Sequence, residues 1–182
     1  MENSFINIQI EKLNYIEYRL QLFLYSFSAL LLPLLIGHPQ IIVGIGVNAA
    51  LILSSYYMDL KGTLPIILFP SIGVLARGMI FGPMSVYLIY MIPFIWVGNA
   101  IIVYAMKFFK GKLKSNYFVS LGISSALKTA FLFGSAYLLV SLKTVPALFL
   151  TTMGTMQLVT AIIGGIAAYG IIKVRNFFIH LN

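Results

Sequence analysis

The stretch YFVSLGISSALKTAFLFGSAYLLVSL, residues 117–142, decides the fold. It exceeds the roughly 20 apolar residues that a helix needs to cross about 30 Å of hydrocarbon. Its one charged residue, Lys128, lies near the middle. The stretch therefore predicts a membrane-spanning helix with an ammonium group at bilayer depth.

The composition of the whole chain agrees with that prediction. Hydrophobic residues make up 60% of the 182 residues and charged residues 9%, against roughly 45–50% and about 25% in globular domains. One soluble core could not bury so much apolar surface. We therefore expect an all-α membrane protein, and not a soluble enzyme, a nucleic-acid binder or a disordered chain. The sequence has no Cys, which excludes disulfides and thiolate sites.

Five further apolar stretches complete a predicted bundle of six transmembrane helices in one integral membrane domain. The predicted spans are residues 19–36, 41–57, 63–76, 83–106, 117–142 and 147–172. The third span is the weakest, because it is short and contains Pro65 and Pro70, so a re-entrant loop is the alternative there. Residues 1–18 form a cytoplasmic or interfacial segment, in which residues 4–18 are either a short helix or extended.

The basic residues are distributed unevenly between the two sides of this bundle. One side holds nine: Lys12, Arg19, Lys61, Lys107, Lys110, Lys112, Lys114, Lys173 and Arg175. The other side holds two, Arg77 and Lys143. If the third span did not cross, this bias would almost disappear. The positive-inside rule therefore favours six crossings with both termini cytoplasmic, in a cell membrane.

Lys128 is the sharpest functional signal, because the spans contain no Asp or Glu to pair with it. An ammonium at the centre of a bilayer costs about 2.5–3.5 kcal/mol on insertion scales, so such a residue usually faces a cavity or a partner. One interpretation places Lys128 at the floor of an outward-opening pocket, where it binds an anion. The alternative is that it snorkels or donates to carbonyls freed in the third span.

Five other residues are candidates for the same pocket. Arg77 is either a clamp for a carboxylate or phosphate at the pocket mouth or an anchor to lipid headgroups. Asn48 and Gln157 lie near mid-depth and either contact a ligand or form interhelical hydrogen bonds. Tyr87 and Trp96 could stack on a ligand ring, although a core position also suits Trp96.

Small residues recur along the sixth span. Ala161, Gly164, Gly165 and Ala168 form two overlapping pairs at a spacing of four residues. They permit close approach of another helix, either within this bundle or in another subunit. This face is therefore the candidate partner interface.

Catalysis is not expected from this sequence. It contains neither a Walker lysine loop nor a carboxylate pair in the spans, and His38 and His180 fall on opposite sides, so no metal site or cofactor is expected.

The run from Gly82-Pro83 through Ile92-Pro93 and Gly98-Asn99 to Lys107, within six spans of a basic chain, resembles the substrate-binding S component of energy-coupling factor (ECF) vitamin transporters. The resemblance covers about residues 19–175. It implies capture of a ligand from outside by positions matching the loop around Arg77, Tyr87, Lys128 and Gln157. It also implies two kinds of partner, a transmembrane coupling subunit and two ATPase subunits, with toppling of the S component in the bilayer to release ligand inside.

The function expected from the sequence is thus capture of a small anionic, water-soluble vitamin or related nutrient for an ECF-type importer. Two alternatives stay open. One is a membrane anchor or assembly subunit of a larger complex, and the other is a small oligomeric anion channel or permease.

Overall fold

A computed structural model of the chain describes residues 15–36, 39–81 and 85–179. Every regular element in these ranges is helical, which confirms the all-α prediction. His38, His180 and residues 4–14 of the predicted interfacial segment lie outside the described residues.

Seven α-helices follow one another within the described residues. They are α1 (Tyr15–Leu31), α2 (Gln40–Tyr57), α3 (Thr63–Phe81), α4 (Ser85–Met106), α5 (Tyr117–Ser141), α6 (Leu148–Met153) and α7 (Thr155–Ile179). Two π-helical segments, Leu32–Ile36 and Lys107–Lys112, continue α1 and α4.

In the part of the chain that the structure describes, five helical stretches are long and apolar enough to cross a membrane. These are Tyr15–Ile36, Gln40–Tyr57, Tyr87–Lys112, Tyr117–Ser141 and Leu148–Phe177. The apolar part of α3, Thr63–Gly78, is shorter, yet α3 continues through Pro70 as one helix. Full crossing by α3 stays a prediction.

α4 ends at Met106, the predicted end of the fourth span, and the basic run that follows is π-helical as far as Lys112. The last span differs from its predicted form. The last span is divided at Gly154, whose ψ of −103° is not helical. Beyond Gly154, α7 runs to Ile179, past the predicted end at residue 172.

Three contacts join the ends of α1, α2, α4 and α7 and the turn between α2 and α3 at one end of the bundle. The Tyr18 hydroxyl of α1 donates to Asp59 Oδ1 at 2.6 Å in the turn between α2 and α3. Lys107 Nζ, which follows α4, donates to the Met58 carbonyl at 2.5 Å. The Arg175 guanidinium near the end of α7 lies 4.1 Å from the centre of the Tyr57 ring. This end is named the basic end below.

Neighbouring groups at the basic end stabilise the ionised carboxylate of Asp59. The hydrogen bond from Tyr18, helped by the Gly62 amide and the charges of Lys107 and Lys61, lowers the pKa of the Asp59 carboxyl. The carboxylate therefore stays ionised near neutral pH and joins α1 to the turn between α2 and α3.

The opposite end of the bundle contains the end of α1, the start of α2 and the start of α7. Arg77 of α3 donates from its guanidinium to the carbonyls of Leu34 and Leu35 at 3.2 and 3.1 Å. Basic side chains often satisfy the last carbonyls of a helix in this way. A Cβ placed on Gly44 of α2 would lie 2.8 Å from Thr160 of α7, so these two helices are in close contact here.

The small-residue face of α7 is packed inside the bundle. Ala161 and Ala168 are completely buried. A Cβ on Gly164 would lie 2.7 Å from the Ile45 carbonyl oxygen of α2, and one on Gly165 would collide with Leu121 of α5. Of the two alternatives for this face, packing against helices of the same bundle is the arrangement in the structure.

Candidate ligand-binding site

Lys128 lies in the middle of α5 and is only 2% exposed. Its ammonium donates to Asn48 Oδ1 of α2 at 2.6 Å. Such burial is incompatible with snorkelling, because a snorkelling lysine keeps its charged group in contact with polar surroundings. The ammonium is therefore held inside the helix bundle.

The side chain of Asn48 is itself fixed by two donated hydrogen bonds. Its Nδ2 donates to the Gly44 carbonyl at 2.9 Å and to Thr160 Oγ1 at 3.1 Å. Thr160 Oγ1 in turn donates to the Met156 carbonyl at 2.8 Å. Because both partners of Nδ2 are acceptors, the Asn48 amide orientation is determined and Oδ1 faces Lys128. A chain of polar groups from α7 through α2 thus positions the ammonium.

The ammonium keeps hydrogen-bonding capacity after this contact. A lysine ammonium has three N–H donors, and Asn48 Oδ1 is its one hydrogen-bond acceptor within the described residues. In that same part of the chain, the neighbouring hydroxyls of Ser124 and Ser125 are buried without a partner. The surroundings of Lys128 are therefore polar but incompletely satisfied.

A cavity of about 140 Å³ lies beside Lys128. It extends from the exposed Gln40, the first residue of α2, to the buried Asn48 and Lys128. Its other lining residues come from the π-helical segment after α1 and from α2, α3, α4, α6 and α7: Pro33, Val43, Gly44, Val47, Pro70, Ser71, Val74, Leu88, Ile95, Asn99, Thr152, Met153, Met156, Gln157 and Thr160. The contributions of α2 and α7 come from the halves nearest the opposite end, so the cavity lies on the far side of the bundle from the basic end.

Lys128 is the one charged side chain among the described residues that line this cavity. Most of the wall is aliphatic, and its polar groups are amides and hydroxyls. A single positive charge in surroundings of low dielectric is attracted strongly to a negative group. The site can therefore bind an anion whose remaining surface is largely apolar.

Three of the six predicted ligand residues meet at the cavity, namely Lys128, Asn48 and Gln157. The other three lie outside its described lining. Arg77 is engaged with the end of α1, and Tyr87 is 39% exposed at the start of α4. Trp96 Nε1 donates to Ser71 Oγ at 2.6 Å, so the indole lies behind a cavity residue. Roles for these three in ligand binding stay predictions.

Several polar residues that line the cavity are not among the predicted ligand residues, including Gln40, Thr160 and Asn99. Two of them carry a signal in their spacing. Gln40 precedes Asn48 by eight residues, and Thr160 follows Gln157 by three, so each pair falls on one face of a helix. Asn99 Nδ2 donates to the Ile67 carbonyl at 3.0 Å, and no feature of the sequence distinguishes this residue from one that only packs.

Comparisons with protein-family models, with curated proteins and with solved structures found no match to this chain. No group of three or more His, Cys, Asp or Glu side chains in residues 15–36, 39–81 and 85–179 could hold a metal ion. The features that point to a function are therefore the cavity and the distribution of charge.

Proposed function

We propose that this protein is a membrane-embedded substrate-capture subunit that binds a small anionic nutrient in the cavity beside Lys128. The observation that carries the proposal is the buried ammonium with one acceptor, Asn48, at the inner limit of that cavity. A buried charge without full compensation is costly. An anionic ligand would supply the missing counter-charge and acceptors, which provides the free energy of binding.

The distribution of basic residues supports an outward-facing cavity. Eight described basic residues lie at or near the basic end: Arg19, Lys61, Lys107, Lys110, Lys112, Lys114, Lys173 and Arg175. Two lie toward the opposite end, Arg77 and Lys143. Under the positive-inside rule the basic end is cytoplasmic. With α3 as a sixth crossing, both termini are inside and the cavity receives ligand from outside.

The proposed importer is of the ECF type, and its support is the resemblance in architecture. Six spans, cytoplasmic termini and a polar cavity in the outer half are the features expected of an S component. In this proposal a transmembrane coupling subunit and two ATPase subunits would supply the energy for release of ligand inside. The chain itself would only capture the ligand.

The alternative of a membrane anchor receives no support from the small-residue face of α7. Gly164 and Gly165 are already in close contact with α2 and α5, so this face is not available to another subunit. The capture proposal uses a feature that an anchor does not need, namely a cavity with a buried charge.

The test is native mass spectrometry of the protein purified in detergent from its own host. The wild-type protein should retain a small anionic ligand, and Lys128→Met should lose it because the counter-charge is absent. Lys143→Met is the matched control: Lys143 is exposed just after α5 and lies outside the cavity lining, so this variant should keep the ligand.

Equal ligand occupancy in the wild-type protein and in Lys128→Met would refute the proposal. Flux of the same ligand into vesicles that contain this chain alone would also contradict it, because that behaviour belongs to a channel or permease.

A further inference from the structure

The dimensions of the cavity limit the kind of anion it can enclose. Its volume is about 140 Å³. An apolar cavity of about 150 Å³ is enough to hold one benzene molecule. A ligand enclosed beside Lys128 is therefore about the size of one six-membered ring or a short branched chain.

The charge of the lining limits the ligand further. Lys128 is the one ionisable side chain among the described lining residues, so the site can balance at most one negative charge. A second negative charge would be buried without a partner, which is strongly unfavourable. Phosphate and dicarboxylates therefore fit poorly.

The walls determine the rest of the ligand. Val43, Val47, Ile95, Met153 and Met156 line the cavity around the polar groups. Apolar surface gains roughly 25 cal/mol for each Å² that is removed from water, so an apolar body adds affinity that a bare carboxylate lacks. Methionine side chains adjust readily to the shape of a bound group.

We propose, on the basis of the capture function above, that the ligand is a monocarboxylate with a compact apolar body of about one ring. Its carboxylate accepts hydrogen bonds from the Lys128 ammonium, which Asn48 holds in place. Its body lies between the aliphatic residues of α2 and the two methionines. Anions with two fused rings are too large to be enclosed in about 140 Å³, and inorganic anions lack the apolar body that the walls favour.

The experiment measures equilibrium binding of a series of probes to the full-length protein in detergent, after removal of any co-purified ligand. The probes are benzoate, acetate, inorganic phosphate, 2-naphthoate and the neutral benzyl alcohol. Benzoate should bind at least about 10-fold more tightly than acetate, because its ring covers the apolar wall. Lys128→Met should weaken benzoate binding by about 10- to 100-fold, the range for a hydrogen bond to a charged group.

A second variant tests the size limit without touching the charge. Val47→Phe adds volume at the cavity wall and should weaken benzoate binding more than acetate binding. The matched control is Val119→Phe, because Val119 is 52% exposed on α5 and lies outside the cavity lining. This control should leave both probes unchanged, and it shows whether an added Phe by itself disturbs the fold.

The outcomes separate this inference from the proposed function. If 2-naphthoate, phosphate or acetate binds at least as tightly as benzoate, and does so through Lys128, the inference is wrong while capture of an anion stands. If no anion in the series binds in a Lys128-dependent way, or if benzyl alcohol binds as tightly as benzoate, both proposals fail.

Discussion

At the level of single residues, the pairing of Lys128 with Asn48 is the most consequential feature of this molecule. An amide oxygen satisfies one N–H of an ammonium without adding a compensating charge. A carboxylate at position 48 would neutralise Lys128 and remove its attraction for a ligand. The neutral partner thus orients the ammonium while leaving its charge available in the cavity.

The strength of this pairing can be measured with a double-mutant cycle. Asn48→Leu should lower the free energy of unfolding by about 3 kcal/mol, because it leaves a buried ammonium without its acceptor. Adding Lys128→Met should recover at least about 1 kcal/mol of that loss, since the unpaired charge is then gone. Unfolding in nonionic detergent measures each value. Additive effects of the two substitutions would show that the side chains are not coupled.

The sequence predicts that Lys128 is buried, but it does not identify the residue that pairs with Lys128. An ammonium in the middle of an apolar stretch signals burial, because its cost in lipid requires a cavity or a partner. Asn48 lies 80 residues away along the chain, and its role depends on the packing of α2 against α5 and α7. Arg77 illustrates the same limit. Its acceptors are the Leu34 and Leu35 carbonyls, which belong to the π-helical segment that follows α1.

At the level of elements, the contact between α2 and α7 supports the cavity. The two helices approach closely at Gly44 beside Thr160 and at Gly164 beside Ile45. This approach brings Thr160 Oγ1 within 3.1 Å of Asn48 Nδ2. Small residues in the α7 sequence predict a close helix contact, but the identity of the partner helix follows only from the tertiary arrangement.

Two alanine substitutions in α7 distinguish this contact from general helix effects. Gly164→Ala should reduce the free energy of unfolding by about 1–3 kcal/mol, because its Cβ would lie 2.7 Å from the Ile45 carbonyl oxygen and over-packing has costs of this size. Gly170→Ala is the control, since a Cβ there meets no atom within 4 Å. It should be neutral or stabilising by up to about 1 kcal/mol, as alanine favours helix. Equal effects of the two substitutions on the free energy of unfolding would argue against a close contact between α2 and α7.

The ends of the helices mark where sequence-based prediction is weakest for this fold. Apolar length identifies the spans, because crossing hydrocarbon requires it. Basic residues mark the end of α4 at Met106, but they do not predict that Lys107 is buried and donates to the Met58 carbonyl. The break at Gly154 was not predicted either, since glycine is also common within transmembrane helices.

At the level of the whole molecule, the end of the bundle with few basic residues is also the end toward which the cavity lies. The basic end holds the contacts of Asp59, Lys107 and Arg175, which join α1, α2, α4 and α7. The cavity lies toward the other end, where Gln40 is exposed. Side-chain contacts thus join the helices at the basic end, whereas the cavity lies toward the end with few charged residues.

The orientation of this bundle can be determined because the natural sequence contains no Cys. Lys114→Cys and Lys143→Cys form a matched pair, since both residues are exposed and both have positive φ, 50° and 56°. A membrane-impermeant maleimide should label Lys143→Cys in intact cells and Lys114→Cys only after permeabilisation, because the positive-inside rule predicts a cytoplasmic basic end. The wild-type chain provides the unlabelled control. Labelling of Lys114→Cys but not Lys143→Cys in intact cells would place the cavity toward the cytoplasm, and capture of an external nutrient would then be untenable.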